Sequence, residues 1–522
     1  MRNLARFCRV SAAISCVIGG INNPILAQSP GDTMGITQQD YQSNASAGQR
    51  IAVDDSGGVH VVWMGGDYPG PRGIYYNYID PYGNILYPEG AFISSGGYPQ
   101  IAVNSQNQPG IVFHGLDSLI YWTPSGQYRP PSNGYWPALS IDQRDWVHLI
   151  FGSGQGQMEL RYLRSNNGGP NWTTPAIVDT VTIPSYTITS SPVSNKVAIA
   201  YLHPYDSSSQ FYNDVYYIQS LNGVSWDWQD GKVNITNYDF GGLSAWPDLD
   251  AVYDYNDNLH IIWNVARMSD SLVTEFLFHY DVASQAITEI VQIDAWLQPG
   301  CDWGTWNLPA GKMSIASAPD NTLAIIYTRF NEDDCSAGGF ANGEIYLQHS
   351  TDGSEWSTPY SVTYSHTPNC MAGFCDSDHW PSAAERIDAS LHIFYVNDKD
   401  AGGIPQTEGS VTDNPMLYYN VPIDLLGVPE GNAVPDDFSL SQNYPNPFNA
   451  RTSISFELRK DAFINLSVYD IKGSRIQILA NRRYAAGGHE ITFDAGRLTS
   501  GIYFFRLISG DDSQCRRMIL IK

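Results

Sequence analysis

One alternating pattern of apolar and polar residues recurs along most of this chain. Its clearest copy, Ile51-Ala-Val-Asp-Asp-Ser-Gly-Gly-Val-His-Val-Val-Trp63, joins an alternating run to an apolar run that ends in an aromatic residue. The polar segment between the two runs has the composition of a tight turn. Each copy therefore predicts two antiparallel β-strands joined by a turn. The copies lie at residues 51–63, 101–113, 139–151, 188–201, 249–263, 313–327 and 382–395.

A second aromatic-rich run follows every copy and predicts a third strand, as in Ile74-Tyr75-Tyr76 after the first copy. Repeated units of three or four antiparallel strands are typical of β-propeller blades. Blades that pack around an axis cover each other's apolar faces. The sequence therefore predicts an all-β chain with a propeller at residues 36–425. Seven copies favour seven blades, and six is the alternative if the weak fourth copy or the short second copy is misread.

The C-terminal residues 438–522 carry different motifs. Ile454, Phe456 and Leu458 alternate with polar residues, which predicts the strands of a small immunoglobulin-like β-sandwich. The segment also contains NYPNPFN at 443–449 and LTSGIYF at 498–504, and it closes with a basic last strand. In this combination it resembles the type A C-terminal sorting domain of the bacterial type IX secretion system. A generic adhesive immunoglobulin-like module is the alternative.

That resemblance implies that the secretion machinery recognises the C-terminal domain at the outer membrane of a Gram-negative bacterium. It also implies a secreted or cell-surface protein, either released or anchored. At the other end, Arg2, Arg6 and Arg9 precede an apolar run, and Ala27 offers a small residue at a cleavage position. Residues 1–27 therefore predict a signal peptide. The apolar run is too short to span a bilayer, so no transmembrane segment is predicted. A linker rich in glycine, proline and acidic residues is expected at 427–437.

The charge of the chain is unevenly distributed. Residues 28–435 hold 13 Lys and Arg against 44 Asp and Glu, a net charge of −31, whereas residues 436–522 have a net charge of +3. A body this acidic repels nucleic acid and anionic membranes, so neither is an expected partner. Solubility outside the cell explains the acidity. Ca²⁺ binding by carboxylates in the loops at 253–258, 331–334 and 375–378 is an alternative, although none has EF-hand spacing.

Four cysteines fall within a loop-rich stretch of the predicted propeller. In an exported protein they predict disulfides that staple loops, with three pairings open. A four-cysteine metal site is the alternative, but the paired CxxC spacing is missing. The candidates are Cys301, Cys335, Cys370 and Cys375.

Three segments resemble the Asp-box of sialidase-like propellers, a structural hairpin turn with a packed tryptophan. Ser165 to Trp172 has Asn at the Asp position, and the segments at 220–226 and 350–356 are one residue shorter. The side chain of Asn or Asp is expected to satisfy the turn while the tryptophan packs beneath it. The resemblance supports a sialidase-like fold without implying activity. The turn and packing residues are Asn167 and Trp172, Asn222 and Trp226, and Asp352 and Trp356.

No catalytic residue is identified from the sequence. Sialidases bind a carboxylate with three arginines, but the arginines of this body do not recur at one blade position. A glycosidase needs two carboxylates on opposite sides of a sugar bond. The candidates beside the predicted first strands, with ordinary turn residues as the alternative, are Asp54, Asp142, Asp248, Asp250 and Glu385. Four histidines at one repeat position predict a shared structural role. They are His60, His148, His260 and His392.

Four copies begin with an aromatic residue followed by proline: Tyr98, Trp136, Trp246 and Trp380. Proline is tolerated at the first residue of a strand, so these aromatic side chains are expected at one rim of the ring. They could bind a ligand by stacking on sugar faces, or they could wedge neighbouring blades apart. The leading hypothesis is an exported surface or extracellular module that binds glycans or other polymers. A secreted glycoside hydrolase or lyase and a structural surface protein are the alternatives, and an enzyme is the less favoured reading.

Overall fold

The structure, a computed structural model, describes residues 29–422 and 438–522, apart from residues 45, 155–157, 206–210, 239–242, 269–271, 297–299, 441–442, 444, 447, 459, 470–474, 497 and 510–511. The chain divides into two compact units between Val428 and Pro429. The predicted signal peptide at 1–27 and the predicted linker at 427–437 lie outside the described residues.

The described strands of the N-terminal unit form antiparallel blades of four strands each, and one residue pair, Asn213 with Ala245, joins the fourth and fifth blades into an eight-stranded sheet. The first blade contains β2 (Ile51–Val53), β3 (Val59–Gly65), β4 (Gly73–Ile79) and β5 (Ala91–Ser95). The second contains β6 (Gly97–Val103), β7 (Pro109–His114), β8 (Leu119–Thr123) and β9 (Gly126–Tyr128). The third contains β10 (Tyr135–Ile141), β11 (Val147–Ser153), β12 (Met158–Ser165) and β13 (Ala176–Thr182).

The remaining blades follow in chain order. The fourth contains β14 (Tyr186–Ser190), β15 (Val197–Pro204), β16 (Asn213–Ser220) and β17 (Val233–Asn234). The fifth contains β18 (Ala245–Tyr253), β19 (Leu259–Met268), β20 (Leu272–Asp281) and β21 (Ala286–Trp296). The sixth contains β22 (Ala310–Ser317), β23 (Leu323–Cys335), β24 (Ala341–Ser350) and β25 (Tyr360–Ser361). The seventh contains β26 (Ser377–Ala383), β27 (Ser390–Asp398), β28 (Asn414–Pro422) and β1 (Asp32–Thr37), with a 3₁₀ helix at Ile404–Gln406.

The N-terminal strand closes the ring. β1 pairs antiparallel with β28, so the seventh blade combines the first and last strands of this unit. The first strand of each blade, called here the inner strand, contacts the inner strand of the next blade, and β26 contacts β2. Closure leaves each blade covered on both faces. The prediction of an all-β propeller is confirmed.

Apolar side chains fill the space between neighbouring blades. One cluster brings Val62 and Ile74 of the first blade against Ile111 and Phe113 of the second. All seven residues of β3 are buried, as expected for a strand covered on both faces. The aromatic residue that ends each repeat therefore belongs to the core, and Trp63 has no exposed surface.

The repeated histidines form a clamp inside their blades. The Nε2 atom of His60 lies 3.2 Å from a carboxylate oxygen of Asp54, and its Nδ1 atom lies 2.8 Å from the Tyr76 hydroxyl. Because a carboxylate only accepts, Nε2 donates and Nδ1 accepts from the tyrosine. Burial lowers the pKa of His60 against the opposing effect of Asp54. The same arrangement joins His148 to Asp142 and Tyr162, and His392 to Asp388 and Tyr418. His260 instead bonds His279 and pairs with Asp254.

The turns that resemble Asp-boxes follow the third strand of their blades. The side chain of Asn167 accepts from Ser165 and from the Asn171 amide, at 3.0 and 3.1 Å. Each tryptophan packs on the third strand of the preceding blade: Trp172 on Tyr121, Trp226 on Tyr162, and Trp356 on His279. Asn222 and Asp352 accept turn amides in the same way as Asn167. These tryptophans therefore join neighbouring blades.

The four cysteines form two disulfides, which confirms the prediction and selects one of its three pairings. Cys301 bonds Cys335, and Cys370 bonds Cys375. The first disulfide ties the end of β23 to the segment before β22. The second closes a six-residue loop just before β26.

The C-terminal unit is the predicted β-sandwich. Its sheets have the strand orders β29-β30-β33 and β32-β31-β34-β35, and they enclose fully buried residues such as Ile454, Leu466 and Phe505. Phe448 of the NYPNPFN motif lies beside the last strand, because its backbone N–H donates to the Ile519 carbonyl at 2.8 Å. The strands are β29 (Phe438–Leu440), β30 (Arg451–Leu458), β31 (Ala462–Tyr469), β32 (Arg475–Tyr484), β33 (Gly487–Asp494), β34 (Gly501–Ser509) and β35 (Asp512–Leu520).

The clamp predicts the effect of removing one hydroxyl. Tyr76→Phe leaves the buried Nδ1 of His60 without its donor, which costs about 1–3 kcal/mol of unfolding free energy. The same change at Tyr82, which is 90% exposed, is the matched control and is expected to have no effect. Urea denaturation measures both. Equal stability of the two variants would contradict a structural role for the clamp.

Candidate functional site

A cavity of about 350 Å³ opens at the mouth of the ring where the inner strands begin. All seven blades or the segments that lead into them contribute to its wall, so it lies on the axis. The aromatic residues of the wall are Tyr41, Tyr98, Trp136, Trp306 and Trp380. We call this site the aromatic cavity.

A β-bulge turns side chains into the aromatic cavity. Between two paired positions of blade two, Gly97 opposite His114 and Gln100 opposite Val112, the inner strand advances three residues while its partner advances two. Tyr98 lies in this bulge with φ +54°. Left-handed backbone is a genuine outlier for a bulky residue, and bulges re-aim side chains beside functional sites. The equivalent residues Trp136, Lys312 and Trp380 have φ values of +50°, +53° and +53° in bulges of the same length.

Side chains of neighbouring blades hold the bulges in place. The Trp136 amide donates to Nδ1 of His114 at 3.3 Å, and the Tyr186 hydroxyl donates to the Trp136 carbonyl at 2.8 Å. Burial lowers the pKa of His114 to about 4, with the charge of Arg72 acting in the same direction. His114 is therefore neutral at physiological pH and can accept this bond.

The bulge of Trp380 has a cationic partner. Its carbonyl accepts from a guanidinium nitrogen of Arg50, a residue with no exposed surface. Burial lowers the pKa of Arg50 to about 9, which leaves it charged at neutral pH. Arg50 forms no ion pair with a described carboxylate.

The structure brings three of the four predicted aromatic residues together. Tyr98, Trp136 and Trp380 line the aromatic cavity, whereas Trp246 stacks on Phe211 at 4.7 Å beside it. Blade five differs because its inner strand advances four residues against two at this point. The two extra residues change the direction of Trp246 and leave Pro247 in the cavity wall.

Sequence reasoning did not identify the charged residues of the aromatic cavity. Lys312 occupies the blade-six position where other blades carry an aromatic residue, but methionine rather than proline follows it. Arg72 lies in the turn between β3 and β4, and its Nη1 donates to the Tyr98 hydroxyl at 3.1 Å. No carboxylate of the described residues lines the cavity.

Asp248 and Glu275 lie behind Lys312. One Asp248 oxygen accepts from the Lys312 amide at 3.0 Å, and its other oxygen lies 3.6 Å from the Lys312 Nζ. One Glu275 oxygen accepts from the Ala310 backbone amide at 2.6 Å, and the other accepts from the Asn264 side-chain amide at 3.0 Å. Burial raises the pKa of Glu275 well above its usual range, which favours its neutral form.

The opposite mouth of the ring holds a cavity of about 610 Å³ with several carboxylates. Asp54 and Asp142 line it, but both are structural partners of clamp histidines. Burial alone would raise the pKa of Asp54, yet hydrogen bonds from Ser56, Gly58 and His60 outweigh it and lower the pKa. Turn amides and a histidine therefore occupy these two carboxylates.

Two further candidate carboxylates are Asp250, on the inner strand β18, and Glu385, just after the end of β26. Burial raises the pKa of Asp250 to about 6, and burial together with the charge of Asp250 raises the pKa of Glu385 to about 8. Glu385 lines both the acidic cavity of about 610 Å³ and a narrower channel of about 130 Å³ beside it. Asp250 accepts from Ser314 and the Ile315 amide, at 3.1 and 3.0 Å, and so ties two blades together.

One of the predicted Ca²⁺ loops contributes to a cluster of possible ligands. Asp334, Glu344 and His366 have ligand atoms within 4.8 Å of one another. Asp334 already accepts from the Thr367 amide and from Asn342. Burial raises the pKa of both carboxyl groups, which favours their neutral forms and disfavours a cation. Ca²⁺ binding stays a prediction.

Residues 442–522 match the family described as the secretion system C-terminal sorting domain. The resemblance drawn from the sequence motifs is thereby confirmed, and the chain carries an export tail that directs it to the cell surface or the medium. A search of curated proteins found no match. In the described part of the chain, no helix is long and apolar enough to cross a membrane.

Several solved structures have a distant likeness to this chain. An oligogalacturonate lyase in complex with manganese has 12% identity and a TM-score of 0.43, over 77% of this chain and all of that one. Polysaccharide lyase Uly1 has 10% identity and a TM-score of 0.43, over 74% and 92%. An α-L-arabinanase from Penicillium chrysogenum complexed with arabinobiose has 10% identity and a TM-score of 0.38, over 76% and 99%. Likeness at this level carries no argument about activity.

Proposed function

We propose that this protein is an exported propeller that binds an extracellular polysaccharide in the aromatic cavity. The observation that carries the proposal is the convergence of Tyr98, Trp136 and Trp380 on one cavity from equivalent bulges of three blades. The volume of about 350 Å³ lies within the range of small-ligand sites. Such a volume accommodates one or two sugar residues of a longer chain.

The composition of the wall suits a sugar. Tyrosine and tryptophan offer flat apolar faces for the C–H faces of a sugar ring, together with a polar tip for its hydroxyl groups. Asn44 and Gln406 add amide groups to the same wall. Because the aromatic residues stand on bulges of rigid inner strands, little conformational entropy is lost when a ligand binds.

Binding is better supported than glycoside hydrolysis. Hydrolysis requires two carboxyl groups that reach the scissile bond from opposite sides. The described wall of the aromatic cavity has none, and Asp248 is buried behind Lys312. The candidates Asp54 and Asp142 lie at the other mouth and belong to the clamps.

Removal of the aromatic walls tests the proposal. Trp136→Ala and Tyr98→Ala each delete a stacking surface, so each should weaken polysaccharide binding at least tenfold, about 1.4 kcal/mol. Tyr82→Ala removes an exposed tyrosine in the turn after β4 and is the matched control. A glycan array identifies ligands, and titration calorimetry measures their affinity.

A hydrolysis screen on the same polysaccharides accompanies the binding measurements. Release of reducing ends would contradict a pure binding role and support the enzyme hypothesis. Equal affinity of the wild type, Trp136→Ala and Tyr98→Ala would show that the ligand binds elsewhere. If no glycan binds at all, the structural surface protein is the remaining hypothesis.

Deletion of the sorting domain tests the export route. A chain that lacks residues 438–522 keeps the whole described propeller, so it should fold but remain in the periplasm of a host with type IX secretion. Cell fractionation and immunoblotting compare it with the full-length chain. Appearance of the truncated protein in the medium, at the level of the full-length chain, would contradict the role assigned to this domain.

A further inference from the structure

We infer that the ligand of the aromatic cavity is an anionic polysaccharide, whose carboxylate or sulfate groups bind Arg72 and Lys312. This inference rests on the proposed function and narrows its substrate class. Its starting point is the distribution of charge. Residues 28–435 contain 44 acidic and 13 basic residues, yet the charged residues in the described wall of this cavity are one arginine and one lysine.

Arg72 presents an incompletely used guanidinium group at the mouth of the cavity. Its Nη1 donates to the Tyr98 hydroxyl, and its Cζ lies 5.3 Å from the centroid of that ring. Among the described residues no carboxylate lies within 4.0 Å of it. The remaining N–H groups form a planar fork that matches a carboxylate or sulfate group. Tyr98 fixes the orientation of this fork.

Lys312 places a second cation deeper in the same cavity. Its side chain is 7% exposed, and its Nζ lies 4.8 Å from the centroid of the Trp380 ring. The distance of 3.6 Å to Asp248 is longer than a hydrogen bond. No described residue accepts a hydrogen bond from this ammonium group at the ordinary distance. A buried ammonium group with unused donors is costly unless a ligand or water satisfies them.

The groups behind Lys312 do not cancel the positive character of the wall. Asp248 lies 3.6 Å from the Lys312 Nζ and does not line the cavity. Burial raises the pKa of Glu275, which favours the uncharged form of this carboxyl group. Arg50 adds a buried guanidinium group behind Trp380. The nearby Glu408 carboxylate accepts from the Thr305 amide at 2.9 Å and does not line the cavity.

The position of Lys312 is itself unusual. It takes the left-handed bulge position that carries Tyr98, Trp136 and Trp380 in other blades. An unbranched residue gains no stability from this backbone, so the bulge serves to direct its side chain to the axis. Stacking surfaces and cations therefore share one mouth, an arrangement that fits a sugar polymer with acidic substituents.

Matched pairs of polymers test the inference with the full exported chain. Polygalacturonate is compared with fully methyl-esterified pectin, and dextran sulfate with dextran, by titration calorimetry. The wild type should bind one anionic polymer at least tenfold more tightly than its neutral counterpart. Preference for polygalacturonate identifies a carboxylate ligand, and preference for dextran sulfate identifies a sulfate ester.

Substitutions assign the preference to the two cations. Arg72→Gln and Lys312→Met should each reduce affinity for the anionic polymer at least tenfold. Arg129→Gln removes an exposed arginine outside the cavity wall and is the matched control. Lys312→Met also leaves Asp248 unpaired, so Lys312→Arg is included. The Lys312→Arg variant keeps the positive charge, so it should keep the preference for the anionic polymer. Arg72 is exposed, so Arg72→Gln is expected to fold like the wild type.

The outcomes separate this inference from the proposed function. Equal affinity for charged and neutral polymers, with loss of binding in Trp136→Ala, would overturn the anionic ligand and leave polysaccharide binding intact. Unchanged anionic affinity in both Arg72→Gln and Lys312→Met would also overturn it. Absence of binding to all four polymers and to every glycan of the array would overturn both.

Discussion

Closure of the ring is the constraint on which the rest of this structure depends. A four-stranded blade with apolar residues on both faces can bury them only between two neighbours. Pairing of β1 with β28 supplies the last strand of the last blade from the other end of the sequence. Once the ring is closed, equivalent positions of every inner strand meet around one axis. A residue type that recurs at the same position of several blades then lies either in the core between blades or at one mouth of the ring.

The fold could be predicted from the sequence because two patterns indicate the same architecture. The period of the repeat gives the length of one blade, and the alternation of apolar and polar residues within it gives the strands of that blade. The apolar runs that end in Trp63, Phe113 and Phe151 are buried second strands, as their composition indicated. The shared role of the histidines also followed from their register, since equivalent residues share an environment. Their partners could not be predicted, because Asp54 and Tyr76 become neighbours of His60 only when three strands pair.

The candidate site could be predicted only in part. The aromatic-proline steps identified Tyr98, Trp136 and Trp380, although the proline of each step lies in the bulge of its inner strand and not at the start of the strand. The same step gave a wrong expectation at Trp246, where the bulge is one residue longer than in blades two, three, six and seven. Lys312 was not identified from the sequence, because it occupies the same backbone position as Tyr98 and Trp136 but is neither aromatic nor followed by proline. Arg72 lies in a turn, and its approach to Tyr98 depends on packing between two blades.

The two mouths of the ring use left-handed backbone in opposite ways. At the acidic mouth, the turns after the inner strands place Asn107, Asp145, Asp257 and Asn321 at positive φ. Asparagine and aspartate tolerate this conformation, so these turns carry little strain. At the aromatic mouth, tyrosine, tryptophan and lysine adopt it, each at a cost of about 1–3 kcal/mol.

Strain of this kind persists only where the surroundings enforce it. Here His114, Tyr186, Arg50 and Asp248 bind the backbone atoms of the bulges from adjacent blades. A ring stabilised solely for its fold would have no need of bulky residues at these positions, because glycine or asparagine would satisfy the same backbone. The difference between the two mouths therefore marks the aromatic one as the face on which side-chain direction, rather than stability, determined the sequence.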